Sequence, residues 1–245
     1  MKKIIFLIPV FNDWESLSKL IEEVSKVIGK NIKFEFKFLI VNDGSNKFAP
    51  KIKKPENIIS IKIINMRENR GHTKCIAFGI SYINDNEKFD NVILMDGDGE
   101  DRPEEILNLL EVITKNPKKS IVAKRVKRSE GFLFRFFYKI HKIFTFVFTG
   151  KMINFGNYTC IIKDDIETLA SQNSLWRSYS GTFKKNLKSY NEINSIRGLR
   201  YFGPSKMSFF KLLVHSFSII AVFKYHVLLR SFIFIAILIY MSSYL

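Results

Sequence analysis

Short apolar runs of strand length recur along this chain, with helical patterns between them. Lys3–Ile8, Phe34–Val41, Ile58–Ile64, Asn91–Met95 and Ser120–Ala123 each read as a strand. Leu17, Leu20, Ile21, Val24 and Ile28 follow helical spacing, with Asn12 or Asp13 as the cap. A second helix is expected over Thr73–Ile83. Leu107, Leu110 and Ile113 mark a third apolar helix face, which ends near Asn116-Pro117. Strands that alternate with helices restrict the chain to an α/β architecture, a mostly parallel sheet with helices on both faces. The 245 residues fit one such domain plus an appendage, and a hydrophobic content of 47% supplies its core. No repeat or low-complexity linker interrupts the pattern.

The run Asp96-Gly97-Asp98-Gly99-Glu100-Asp101 follows the apolar Val92-Ile93-Leu94-Met95. Pro103-Glu104-Glu105 then starts a helix. Dense negative charge therefore sits where a parallel strand ends, the place where open α/β sheets bind ligands. Packed carboxylates repel one another unless a cation joins them. An oxygen-only cluster suits Mg²⁺ or Mn²⁺, which in turn bind phosphates.

The formal charge of +16 is unevenly distributed. Lys115 to Lys151 holds eleven Lys or Arg against one acid, and Arg177 to Lys211 holds eight against one. Two such segments imply an anionic partner: nucleic acid, a lipid surface or a phosphorylated substrate. Gly131–Phe148 is crowded with Phe, and Arg128, Arg135, Lys139 and Lys142, spaced by seven, four and three, share one helical face. A basic, aromatic, amphipathic helix over about 129–149 reads as lying in a membrane interface. Phe209–Phe223 is amphipathic again, and Ser231–Leu245 carries no charge. Extended back to His226, the tail reaches the ~20 residues of a span, with Arg230 snorkelling to the headgroups. The expected division is a catalytic domain over 1–204 and membrane-associated helices over 205–245, with the span at about 226–244. The Lys-rich bulk would then be cytoplasmic.

Cys75 and Cys160 have no metal or disulfide spacing and read as reduced core thiols. The start, Lys2-Lys3-Ile4-Ile5-Phe6, has the charge pattern of a signal peptide. Pro9 and Asn12-Asp13 follow without a cleavage site, so a first buried strand is the better reading.

Four constellations fall at expected carboxyl ends of strands or at a helix start. They are Pro9-Val10-Phe11-Asn12-Asp13, Asn42-Asp43-Gly44-Ser45, Asn69-Arg70-Gly71-His72 and Asp96-Gly97-Asp98. Together they converge on one crevice. In this order they resemble a family 2 glycosyltransferase of the GT-A fold, close to the polyprenyl-phosphate glycosyltransferases. Pro9–Asn12 is similar to that family's Pro-Val-Tyr-Asn, Asn42–Ser45 to its Asp-Asp-Gly-Ser, and Asp96–Asp98 to its Asp-x-Asp. Glu100 stands where the group usually has Gln. Ser205-Lys206 after Gly203 is similar to its late Gly-x-Ser-Lys.

The resemblance implies a metal-dependent, inverting transfer from a nucleotide-sugar donor, a UDP- or GDP-sugar, with Mg²⁺ or Mn²⁺. It carries base and ribose contacts to Pro9, Phe11, Asp13 and Asp43. It makes Asp98 the principal metal ligand and sets Asp96 near ribose and metal. Glu100 either completes the coordination or complements the helix dipole. Asn69 and Gly71 join the donor site by shaping its loop. His72 touches the donor pyrophosphate or caps the helix.

The acceptor depends on the basic segments. A polyprenyl phosphate is already anionic and needs cations rather than a base. Arg125 and Arg135 are the candidates, with Lys139 nearby. Asn157 stands where relatives often have Asp and cannot act as a base, which favours a phosphate nucleophile. The alternative is a saccharide or glycolipid hydroxyl, with Asp164 or Asp165 as base. A non-enzymatic binder of anionic lipid or nucleic acid is the third reading. Nucleic acid is disfavoured because the cations interleave with Phe, Ile and Leu. Pairing with a second copy or another membrane protein is left open.

Overall fold

The computed structural model describes residues 1–29, 33–127, 132–204 and 209–244. The side chains of residues 127, 132–138, 141, 209, 211 and 212 lie outside that description. The strands are β1 (Lys2–Val10), β2 (Phe34–Asn42), β3 (Ser60–Asn65), β4 (Asn91–Leu94), β5 (Ile121–Lys127), β6 (Phe155–Ile162) and β7 (Asn191–Ile196). The helices are α1 (Trp14–Ile28), α2 (His72–Asn86), α3 (Ile106–Lys115), α4 (Phe132–Thr149), α5 (Lys163–Ala170), α6 (Tyr179–Asn186), α7 (Phe209–Val222) and α8 (Lys224–Ser242).

The strands form one sheet in the order β3-β2-β1-β4-β6-β5-β7. Only β6 runs against its neighbours, pairing antiparallel with both β4 and β5. Central β1 alternates between two cores. Ile4, Phe6 and Ile8 pack with α1 and α3 on one face, and Ile5 and Leu7 pack with α2, α5 and α6 on the other. Burial on both faces is why this strand is continuously apolar. Each fully buried Leu or Ile contributes roughly 1.5–3 kcal/mol. Helix α2 approaches β1 closely: a Cβ at Gly79 would stand 2.4 Å from the Leu7 side chain. Both cysteines are buried and unbridged.

The alternation read from sequence is the observed architecture. On α3, however, Leu107 is exposed at 47%, and the inward face consists of Ile106, Leu109, Leu110 and Ile113. The 3-10 turn Pro103–Glu105 ahead of the helix sets this phase. Strand β7 was not anticipated. It is an edge strand with only Ser195 buried, so it has no apolar run.

Parallel strands β1, β2 and β4 end on one edge of the sheet, and β7, parallel to β5, delivers the chain to the same edge. Antiparallel β6 begins there, with Arg125 of β5 packed on Gly156. Residues 128–131 and the pair Ser205-Lys206 fall outside the described residues. Helix α4 packs on α7 and α8, and α7 packs on α6. Ile219, Val222 and Phe223 make a small core there with Ile153. Among the described residues, α8 is the one helix long and apolar enough to cross a membrane, and none of it is buried.

Candidate active site

The loops at the carboxyl edge are tied together by side chains. Asn12, at φ 53°, accepts from the amides of Asn46 and Lys47, and its own amide donates to Ser45 Oγ at 2.8 Å. Asp43, nearly buried, accepts from the amides of Arg70 (2.7 Å) and Gly71 (2.9 Å). Glycine is required at position 44, where φ is +63° and a Cβ would lie 2.5 Å from the Glu68 backbone. The loop after β1, the loop after β2 and the start of α2 thus hold one another in place.

The acidic run is equally ordered. Asp101 is 2% exposed, accepts from the Asp96 amide at 2.9 Å and pairs with Arg125 at 3.1 Å. That contact clasps the loop into a ring and turns Asp96 and Asp98 toward the cavity. Asp96 Oδ1 lies 3.0 Å from His72 Nε2 and accepts from Asn157 Nδ2 at 3.3 Å. Asp98 accepts from the Glu100 amide at 3.0 Å and from Arg200 at 2.5 Å. Arg200 also binds Asp13, and Arg197 binds Glu100. The segment after β7 is laced to the same loop by Gly198 N to Glu100 O at 2.8 Å and Tyr201 N to Asp98 O at 2.9 Å.

Confined charge moves these groups. Burial and the charge of Asp96 push Asp98 up to about 6, against the pull of Arg200. Burial and Asp96 push Asp101 up to about 7, partly offset by Arg125. Burial opposes ionisation of Asp96 as well, yet His72, Arg125 and Asn157 hold its carboxyl well below the usual range. Burial disfavours a charged His72, but Asp96 outweighs that and raises it.

These side chains line a cavity of about 430 Å³. Of the residues singled out from sequence, Pro9, Phe11, Asp13, His72, Asp96, Asp98, Glu100 and Arg125 line it. Asp43, Asn69 and Gly71 do not. Asp43 instead holds the Arg70-Gly71 backbone from behind. Asp13 occupies the cap position of α1, but its carboxylate takes Ser16 Oγ and Arg200 rather than a helix amide. The side chain of Arg135 lies outside the described residues. Asp164 and Asp165 start α5, and Asp165 accepts from Ser120 Oγ at the opposite edge of the sheet.

Sequence reasoning missed Arg197, Arg200, Tyr179, Ser180 and His215, which also line the cavity. The signal for the arginines was the basic stretch beyond Arg177, which registered only as charge.

A divalent cation fits this donor set. Asp96 and Asp98 are hard oxygen donors on one loop, and cationic side chains already neutralise them, as Arg200 does for Asp98. Glu100 is drawn toward Arg197 instead. Among the described residues no group of three His, Cys, Asp or Glu side chains converges. Two carboxylates suit a cation that completes its shell with water and substrate phosphate, as Mg²⁺ does.

A family model for glycosyl transferase family 2 matches residues 5–198. The undecaprenyl-phosphate 4-deoxy-4-formamido-L-arabinose transferase of Photorhabdus laumondii is 26% identical over 225 residues, covering 87% of this chain and 65% of that protein. This chain therefore spans a little under two thirds of that relative's length. The fold is also similar to mannosyl-3-phosphoglycerate synthase of Rubrobacter xylanophilus, at TM-score 0.64 and 12% identity over 90% of this chain and 72% of the other. Glucosyl-3-phosphoglycerate synthase of Mycobacterium tuberculosis, solved with Mn²⁺, UDP and glucosyl-3-phosphoglycerate, matches at TM-score 0.62 and 13% identity over 92% of this chain and 80% of the other.

Proposed function

The chain belongs to glycosyl transferase family 2, and on that premise we propose that it moves a sugar from a nucleotide-sugar donor to a polyprenyl phosphate held in a membrane. The observation that carries this reading is the pair Asp96 and Asp98, clasped by Asp101 and Arg125 at the floor of a cavity edged by cations. The relative named for an undecaprenyl-phosphate reaction supports the acceptor. So does the inventory of acids. Among the described residues, the carboxylates lining the cavity are Asp13, Asp96, Asp98 and Glu100; arginines engage Asp13, Asp98 and Glu100, and His72 engages Asp96. Asp164 and Asp165, the bases a hydroxyl acceptor would need, lie at the far edge of the sheet.

In the proposed reaction a phosphate oxygen of the acceptor attacks the anomeric carbon of the sugar. The bond from that carbon to the donor diphosphate breaks, and its electron pair leaves with the nucleoside diphosphate. The anomeric configuration inverts, and no proton has to be removed from the nucleophile. Asp98 and Asp96 would hold Mg²⁺ or Mn²⁺, which when bound neutralises charge on the departing diphosphate. Arg200 stands beside Asp98 and is available to anionic oxygens once a cation takes its place, and Arg197, paired with Glu100, lines the same cavity. Phe11, half exposed at the rim, offers a face for the donor base. Arg125, 13% exposed and paired with Asp101, orders the floor.

Helix α8 is proposed to span the bilayer, with α4 lying at its surface and the catalytic domain over 1–204 on the cytoplasmic side. The exposed apolar side chains Ile140, Ile143, Phe144, Phe146 and Val147 of α4 support this arrangement.

The test is a panel of radiolabelled nucleotide-sugars with Mn²⁺ and polyprenyl phosphate. Label is expected in the lipid phase with the native chain and not with Asp98→Ala. Transfer to a saccharide hydroxyl, with none to the lipid phosphate, would overturn the acceptor assignment.

A further inference from the structure

Two helices begin on one wall of the cavity. Helix α2 starts at His72 and α6 at Tyr179, and His72, Thr73, Tyr179 and Ser180 all line the space. The first amides of a helix have no acceptor inside it, and its start carries partial positive charge. Neither helix has an acid in its first turn to absorb that charge. Gly71 caps α2 without a side chain, and Ser178 caps α6 by accepting only from the Gly181 amide.

Ser180 supplies an independent observation. It is 4% exposed and lines the cavity, and among the described residues its hydroxyl makes no hydrogen bond. The residue is otherwise enclosed, so its hydroxyl is reached through the cavity, where it is free to donate to and accept from a group that enters. His215 of α7 lines the same space, and Arg125 adds a guanidinium. The carboxylates Asp96 and Asp98 belong to the β4–α3 loop, while this wall is built from α2, α6 and α7.

We infer that the wall formed by Ser180 and the starts of α2 and α6 seats the phosphate group of the acceptor, a phosphate monoester on an apolar chain. The inference rests on the acceptor reading above and adds the subsite. The Ser180 hydroxyl and the first amides of α6 hold two phosphate oxygens, with His72, Thr73 and His215 beside them. A third oxygen remains to attack the anomeric carbon, whose bond to the nucleoside diphosphate breaks. No co-reactant is required.

The test uses the full chain in detergent, with geranyl phosphate as the probe and UDP with Mn²⁺ as the donor-side control, both measured by calorimetry. Ser180→Ala is expected to weaken geranyl phosphate about fivefold. Ser180→Asp adds a negative charge on the wall and is expected to weaken it at least about thirtyfold. UDP affinity should stay within about twofold in Ser180→Ala, because the hydroxyl it removes makes no hydrogen bond to the donor-side carboxylates. Unchanged geranyl phosphate binding in a folded Ser180→Ala protein would overturn the subsite. A loss of UDP affinity in step would also overturn it, by assigning the wall to the donor. Inorganic phosphate binding as tightly as geranyl phosphate would assign it to a free anion and overturn it too. If the native chain binds geraniol as well as geranyl phosphate, the acceptor reading itself fails, and the subsite with it.

Discussion

Arg200 and Asp98 meet at 2.5 Å although 102 residues separate them in the chain. The same guanidinium reaches Asp13, so one cation joins the loop after β1 to the loop after β4. Arg200 stands where a divalent cation would neutralise Asp98. Arg200→Met is therefore expected to raise Mn²⁺ affinity of the donor-free protein severalfold, because it removes a like charge from the site. Sugar transfer is expected to fall at least tenfold in the same variant, since the guanidinium also serves the anionic donor. Electron paramagnetic resonance of free Mn²⁺ reads the first effect. A lower Mn²⁺ affinity would show that Arg200 organises the carboxylates rather than competing for them.

Asp98→Ala should reduce transfer at least about a hundredfold with the fold intact by circular dichroism, because the cation loses a direct ligand. Glu100→Gln should cost far less, because the Glu100 carboxylate is drawn to Arg197 rather than to the position a cation takes between Asp96 and Asp98. Equal losses in the two variants would place Glu100 in the coordination shell.

The pH dependence of stability follows from two raised carboxyls. Asp98 lies at about 6 and Asp101 at about 7, both above their ordinary value of 3.8. Between 3.8 and about 7 the folded chain retains protons that the unfolded chain has released, so stability falls as pH rises through that window. Asp96 is shifted the other way, and its contribution is lost only as pH falls below the ordinary carboxyl range. The cation-free protein should therefore melt at a higher temperature at pH 5.5 than at pH 7.5. Mn²⁺ should protect more at pH 7.5, because binding displaces protons. Thermal unfolding with and without Mn²⁺ measures both trends, and Asp98→Asn should flatten them. A melting temperature that rises between pH 5.5 and 7.5 without metal would contradict this account.

Asp43 is a structural anchor in this geometry. Its two oxygens take the Arg70 and Gly71 amides in a buried setting. Asp43→Ala leaves both donors without their acceptor, a loss of about 3 kcal/mol in unfolding free energy. Asp43→Asn keeps one acceptor and should lose roughly half as much. Urea unfolding of the two variants gives the comparison, and an unaffected midpoint for Asp43→Ala would refute the anchoring role.

Gly150 and Arg230 form a second fixed contact. Arg230 of α8 donates to the Val147 carbonyl at 3.2 Å, at the carboxyl end of α4, and a Cβ on Gly150 would stand 2.4 Å from its guanidinium. Sequence reasoning had Arg230 reaching for headgroups, whereas here it caps a helix whose terminal carbonyls attract a cation. Gly150, at φ +68°, holds a backbone conformation that strains any side chain, and a Cβ there would also have to displace the Arg230 guanidinium. Gly150→Ala should destabilise the detergent-solubilised protein by about 1–3 kcal/mol. Combination with Arg230→Met should be less than additive, because the steric conflict disappears with the guanidinium.

The amino-acid sequence by itself determined the α/β architecture. Apolar runs of strand length alternate with 3.6-period patterns, and a sheet buried on both faces admits little else. It also determined the acidic run at the end of β4, because a local cluster of carboxylates is visible in one dimension. Strand β7 was invisible, since an edge strand with one buried residue carries no hydrophobic signal. The tertiary structure alone decided the partners of the carboxylates. Asp96 meets His72 and Asn157, Asp98 meets Arg200, Glu100 meets Arg197, and Asp101 meets Arg125. Every one of these contacts spans at least 24 residues, and no local pattern encodes such a pairing. It exists because parallel strands end on one edge and antiparallel β6 begins there. The same convergence separates Asp43, which supports the site from behind, from Ser180, which faces it.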